Sequence, residues 1–163
     1  EESIMKRVVI LGIALLVFAT GCGQQTGYNE SNTKDDKMIC TRTANANGLK
    51  MDFRYEVYYQ GNDVNKVQTA EKITSDSTET LQAYQQQIKS LYSNFDNIEH
   101  YNYDVKIEGN TLISTTDINY QKMNIDELVN VDSSIEQLLN DDRKIDLDKI
   151  TQVYEQLGAT CEK

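Results

Sequence analysis

The clearest order in the chain is an alternation of period two. Over residues 51–59, Met51, Phe53, Tyr55, Val57 and Tyr59 share one face while Asp52, Arg54, Glu56 and Tyr58 share the other, the pattern of a strand with one buried side. Asn47-Gly48 lies just before it, and both positions tolerate positive φ, so Met38 to Ala46 is predicted to pair with it as an antiparallel hairpin. Gly61-Asn62-Asp63 makes the next turn, into a third strand at about Val64 to Thr74 with Val67, Thr69 and Ile73 facing alike.

The period then changes from 2 to 3.6. Leu81, Tyr84, Ile88, Leu91, Tyr92 and Phe95 fall on one helical stripe, with Gln82, Gln85, Gln86 and Lys89 opposite, and Asp76 with Glu79 three residues on reads as the capping start. Alternation resumes at about Glu99. Tyr101, Tyr103, Val105 and Ile107 face one way, and Gly109-Asn110 turns into a strand from Leu112 to Tyr120. A two-residue loop sets Ile107 opposite Leu112, Tyr103 opposite Thr116 and Tyr101 opposite Ile118. Short helical turns follow around Ile125 and Leu128 and around Ile135, Leu138 and Leu139. A last helix begins at Leu147, capped by Asp146, and stops at Gly158. The expected fold is α+β: an antiparallel sheet of about five strands packed against one long amphipathic helix, with short C-terminal helices.

One stretch lies outside this pattern. Lys6 and Arg7 precede an apolar run from Val8 to Ala19, which ends in Ala19, Thr20, Gly21 and Cys22. A basic start, a short apolar segment and small residues at its end make a secretory signal. The run is shorter than the roughly 20 residues that span a bilayer core. A cysteine directly after the small residues marks a lipoprotein signal, although Ala19 stands where Leu is usual. Cys22 is the expected lipid attachment site, carrying a diacylglyceryl group and an amino-terminal acyl chain such as palmitate, enough buried methylenes for stable anchoring. Met5 reads as the true start, with Glu1 to Ile4 upstream of it. The expected organisation is therefore a signal peptide at 1–21, a flexible tether at 22–37 and a single α+β domain at 38–163. The polar tether segment Gly23 to Lys37 would reach roughly 20 Å as a random coil.

Composition narrows the partners. The net charge is −10, and the signal removes equal numbers of acids and bases, so the domain stays acidic, which argues against nucleic acid and anionic headgroups as partners. Ten tyrosines, no tryptophan and no proline fit a strand-rich core. With Cys22 lipidated, Cys40 and Cys161 remain. Oxidising surroundings favour a disulfide between them, which closes a loop worth about 4 to 5 kcal/mol on the chain-entropy argument; two buried free thiols are the alternative.

Candidate chemistry is sparse. His100 is the only histidine and has no second imidazole for a metal, so it reads as structural or exposed. Ser75 and Ser77 lie at a helix start, and Ser133 and Ser134 between helices read as caps rather than nucleophiles. Asp141, Asp142, Asp146 and Asp148 invite a calcium reading, but the loop lacks the central glycine and closing glutamate of an EF-hand, and Arg143 and Lys144 neutralise it. Tyr58, Tyr101, Tyr103 and Tyr120 could make an aromatic binding platform, but core packing and strand preference explain the same residues and are the favoured reading.

Residues 58–73, 97–128 and 145–163, behind a lipoprotein signal, resemble the YehR-like small bacterial lipoproteins. The resemblance is a pattern of turns, strands and a terminal helix over most of the chain. It implies lipid anchoring and this fold class, and no activity, because the family's domain has no assigned function. The expectation is a non-enzymatic domain on the extracytoplasmic face of the cell membrane, without catalytic residues, metal or cofactor, that binds a protein or envelope component. A small-molecule or glycan carrier with a pocket between sheet and helix is the second reading.

Overall fold

A six-stranded antiparallel sheet frames the computed structural model, which describes residues 35–46 and 48–163. Its strands are β1 (Asp36–Ala46), β2 (Leu49–Gln60), β3 (Asp63–Thr74), β4 (Tyr101–Glu108), β5 (Thr111–Asn119) and β6 (Thr160–Glu162), in spatial order β4-β5-β3-β2-β1-β6. Three helices complete it, α1 (Thr78–Tyr92), α2 (Ile125–Val131) and α3 (Leu147–Gln156), with 3-10 segments at Ser93–Phe95 and Ser133–Leu138. The α+β class is as the pattern indicates, with one strand more than expected. β6 has only three residues, too few to show a period, and it is placed by pairing with β1, Cys161 opposite Cys40.

The turns set the registers. Ala46 pairs with Leu49, and Gly48 in the turn has φ 76°, where a side chain would be strained. Across β4 and β5, Ile107 lies opposite Leu112, Tyr103 opposite Thr116 and Tyr101 opposite Ile118, the register that the two-residue loop demands. β2 and β3 pair from Gln60 opposite Asp63, but the register slips between Tyr58 and Tyr59, whose partners are Lys66 and Val64, so Asn65 is an extra, bulged residue.

One face of the sheet is buried. Met38 and Cys40 of β1, Phe53, Tyr55 and Val57 of β2, Val67 and Ile73 of β3, Val105 of β4, and Leu112 and Ile118 of β5 form a single core with Leu81, Ile88 and Tyr92 of α1, Leu128 of α2, Ile135, and Ile150 and Tyr154 of α3. The helices therefore lie on one side. Each such side chain removed from water contributes about 1.5 to 3 kcal/mol. Ring stacking joins the layers: Tyr154 of α3 lies on Tyr55 at 4.1 Å between centroids, and Phe95 lies on Tyr101 at 4.7 Å. α1 packs against β4 and β5. Its Gln85 is half-buried instead of solvated, because Nε2 donates to the Val105 carbonyl of the edge strand at 3.3 Å.

Local details differ from the pattern. α1 is capped by Ser77, whose Oγ accepts from Thr80 N at 3.2 Å, and not by Asp76; Ser77 has the extended backbone a cap needs (φ −99°, ψ 106°), and its short hydroxyl arm reaches the open amide. Likewise Asp132, not Ser133 or Ser134, caps the second 3-10 segment, accepting from Ser134 N at 2.8 Å. β1 starts at Asp36, so the last two residues assigned to the tether are strand. Asp146 caps α3 as expected, accepting from Lys149 N at 3.0 Å. Cys22 and the signal segment lie outside the described residues.

Candidate functional site

The sheet's second face carries a continuous polar row. Alternation turns Arg54, Glu56, Tyr58, Lys66, Gln68 and Asp117 away from the core. Glu56 is the hub. It receives Arg54 Nε at 2.7 Å and the Tyr58 hydroxyl at 2.9 Å, and pairs with Lys37. Gln68 Oε1 lies 3.1 Å from the same hydroxyl, and Gln68 Nε2 donates to Asp117 at 2.6 Å. Partial burial raises the cost of charge on Glu56, but the hydrogen bonds from Lys37, Arg54 and Tyr58 outweigh it and hold its carboxyl below the usual range. Lys37 and Lys66 sit 5.4 and 6.0 Å from the centre of the Tyr58 ring. These groups satisfy one another.

A carboxylate also lies within the core. Glu71 of β3 is 3% exposed, on the inward row with Ser114 of β5 and Phe53 of β2, and beyond them Arg42 of β1. Its Oε2 has no hydrogen-bond partner among the described residues. Burial pushes its carboxyl up to about 8, against a smaller opposing pull from Arg42, whose guanidinium lies over the Phe53 ring. The Glu71 carboxyl is therefore mostly protonated at neutral pH. The Tyr55 and Tyr92 hydroxyls nearby are pushed well above the ordinary tyrosine value, by burial first and by Glu71 second.

A cleft of about 270 Å³ opens at one end of the sheet. Three separate segments wall it: the β2–β3 turn with the start of β3, residues 120–125 after β5, and residues 143–145 before α3. Backbone bonds tie the walls together, Val64 N to Ile145 O at 2.9 Å, Leu147 N to Asn62 O at 2.9 Å and Gln121 N to Asn65 O at 3.0 Å. Val64, Met123, Ile125 and Ile145 supply apolar lining; Gln60, Asn65, Gln121, Asp63, Arg143 and Lys144 supply polar groups. The charges are paired. Lys144 Nζ meets Asp63 at 2.5 Å, and Arg143 reaches Asp126 at 2.5 Å and Glu136 at 2.9 Å. Arg143 takes the left-handed backbone, φ 58°, in a loop where Asn140 Oδ1 accepts from the amides of Asp142 and Lys144 and Asn140 Nδ2 donates to Asp63. Tyr120, 8% exposed, also lines the cleft, and its hydroxyl has no partner among the described residues.

The sequence candidates scatter. Cys40 and Cys161 are joined as a disulfide across β1 and β6. His100 is exposed at φ 67°, its carbonyl accepting from Asn119 N. Of the four tyrosines considered as a platform, Tyr101 and Tyr120 are buried, Tyr103 is half-buried and donates to Asp96 at 2.7 Å, and Tyr58 is on the opposite face. They do not form one surface. Among the acidic group Asp146 is the α3 cap, and no set of three potential ligands converges on a metal position among the described residues. The cleft stands at the end of the sheet and not beneath α1. Two features escaped the sequence reading. Glu71 was legible as a charged residue on the inward phase between Thr69 and Ile73, whereas the cleft's walls have no shared sequence signal.

A family profile described as "Protein of unknown function (DUF1307)" matches residues 40–160. Among solved structures, the fold is similar to that of the YehR protein of E. coli, determined by NMR, with TM-score 0.54 and 19% identity over 80% of this chain and 94% of that one. An NMR structure of a protein from Streptococcus pneumoniae TIGR4 is similar at TM-score 0.48 and 11% identity, over 90% of this chain and 96% of that one. At these identities the likeness concerns the fold alone. No curated protein matches the chain.

Proposed function

As the chain belongs to the DUF1307 family, whose function is unknown, we propose from its own residues that it is a lipoprotein, anchored through Cys22 on the extracytoplasmic face of the cell membrane, whose domain binds an envelope component and catalyses no reaction. The observation that carries the reading is the Cys40–Cys161 disulfide, which joins β1 and β6 in register. Such a bond persists in an oxidising compartment and not in a reducing cytosol. It agrees with the lipoprotein signal at residues 5–22. Binding is favoured by the cleft's lining of amides and ion pairs, groups that recognise a ligand through hydrogen bonds.

Intact mass of the membrane-extracted chain, before and after reduction, tests this. The expected species begins at Cys22, carries two or three acyl chains and gains two hydrogens on reduction. A chain cut after Gly21 with no added lipid would refute anchoring, and an unchanged mass on reduction would remove the compartment argument.

A further inference from the structure

We infer that the cleft at the end of the sheet is a binding site for a neutral saccharide ring, an inference that rests on the binding-domain reading above. The backbone departs from regular geometry on both sides of this cleft: Asn65 is a strand bulge, and Arg143 adopts a left-handed conformation that costs a non-glycine residue energy. Both side chains line the cleft. Bulges and strained residues of this kind re-aim side chains that a regular strand or loop would point elsewhere.

The chemistry of the lining selects the ligand class. An anion would have to displace the carboxylates already paired with Arg143 and Lys144 and then lie beside Asp63, on a chain of net charge −10. A purely apolar ligand would strip water from the exposed amides of Gln60 and Gln121 without replacing its hydrogen bonds. A sugar ring avoids both costs. Its hydroxyls donate and accept, so they match side-chain amides and the outer lone pairs and N–H groups of ion pairs, while its C–H face suits the half-buried Ile125. Gln60 and Gln121 are exposed where they line the cleft, so their amides are open to a ligand, whereas the Tyr120 hydroxyl is buried. The volume of about 270 Å³ is at the small end for ligand pockets and fits one ring rather than a chain.

The test titrates the isotopically labelled full chain, in detergent micelles, with N-acetylglucosamine and separately with inorganic phosphate, following amide and methyl signals by NMR. Saturable shifts confined to the cleft, at Val64, Met123 and Ile145, are expected with the sugar. Gln60→Ala and Gln121→Ala should each weaken binding about tenfold, the equivalent of one hydrogen bond, with the remaining spectrum unchanged. Overturning results are no saturable shift with the sugar, shifts that map to the open sheet face, sugar affinity unaffected by both variants, or saturation of the cleft signals by phosphate instead. An unlipidated chain that binds the sugar would sink the anchor and leave the site standing; a lipidated chain that does not bind would do the reverse.

Discussion

Glu71→Gln should remove most of the pH dependence of stability between about pH 5.5 and 8. The carboxyl titrates near 8 in the folded chain against an ordinary 4.5, because burial disfavours its charge. The folded state therefore keeps a proton that the unfolded chain releases. A raised pKa stabilises fully below 4.5, and that contribution is lost as pH rises through the folded value. Each unit is worth about 1.4 kcal/mol, so the wild type should lose about 3 kcal/mol between pH 5.5 and 8 and level off above that. Glutamine has nearly the same shape and no charge, so the variant's stability should stay nearly level over this window. The Tyr55 and Tyr92 hydroxyls are pushed upward, away from this window. Urea denaturation at half-unit steps of pH, with the disulfide intact, reads this directly. Parallel curves for wild type and variant would refute the buried, protonated carboxyl.

Removing the disulfide by Cys40→Ser with Cys161→Ser should cost about 5 kcal/mol, because the bond closes 121 residues of sequence; an unchanged urea midpoint would contradict it. Asp146→Ala leaves Lys149 N without its cap and Asn62 Nδ2 without its 2.8 Å acceptor, and should lower stability by about 1 to 2 kcal/mol in thermal unfolding. Leu81→Ala, at a fully buried site of α1, should cost about 2 to 5 kcal/mol by calorimetry, whereas Gln82→Ala on the exposed side of that helix should change little. Tyr58→Phe deletes the hydroxyl that meets Glu56 and should move the Glu56 carboxyl upward toward its ordinary value, measurable by NMR titration; an unmoved titration would refute the hydrogen bond's role.

What could be read from the sequence was set by neighbours along the chain. The Gly109-Asn110 loop leaves one register for β4 and β5, so pairs such as Tyr101 with Ile118 followed from counting. The Asp146 cap follows from an acidic residue standing directly before Leu147 and the apolar spacing after it. α1 was legible as a helix but not to the residue, because Asp76 and Ser77 are both good caps and only backbone geometry chooses between them. Features made by distant segments were not legible. β6 exists because Cys161 reaches Cys40, and the cleft forms where the β2–β3 turn meets residues 120–125 and 143–145. Composition identified a tyrosine-rich core; it could not show that Tyr58 would face away from Tyr101 and Tyr120.

The strand order carries a consequence for timing. Among the described residues β1 is the first strand to be made and β6 the last, yet they are neighbours, with Ile39 opposite Glu162. A chain emerging from amino to carboxyl end can zip β1, β2 and β3 as successive hairpins, but the outer edge of β1 stays open until β6 arrives. Its backbone groups are then an unpaired template for any other strand nearby. Oxidation of Cys40 with Cys161 becomes the closing event of maturation, the step after which a passing strand can no longer take the place of β6.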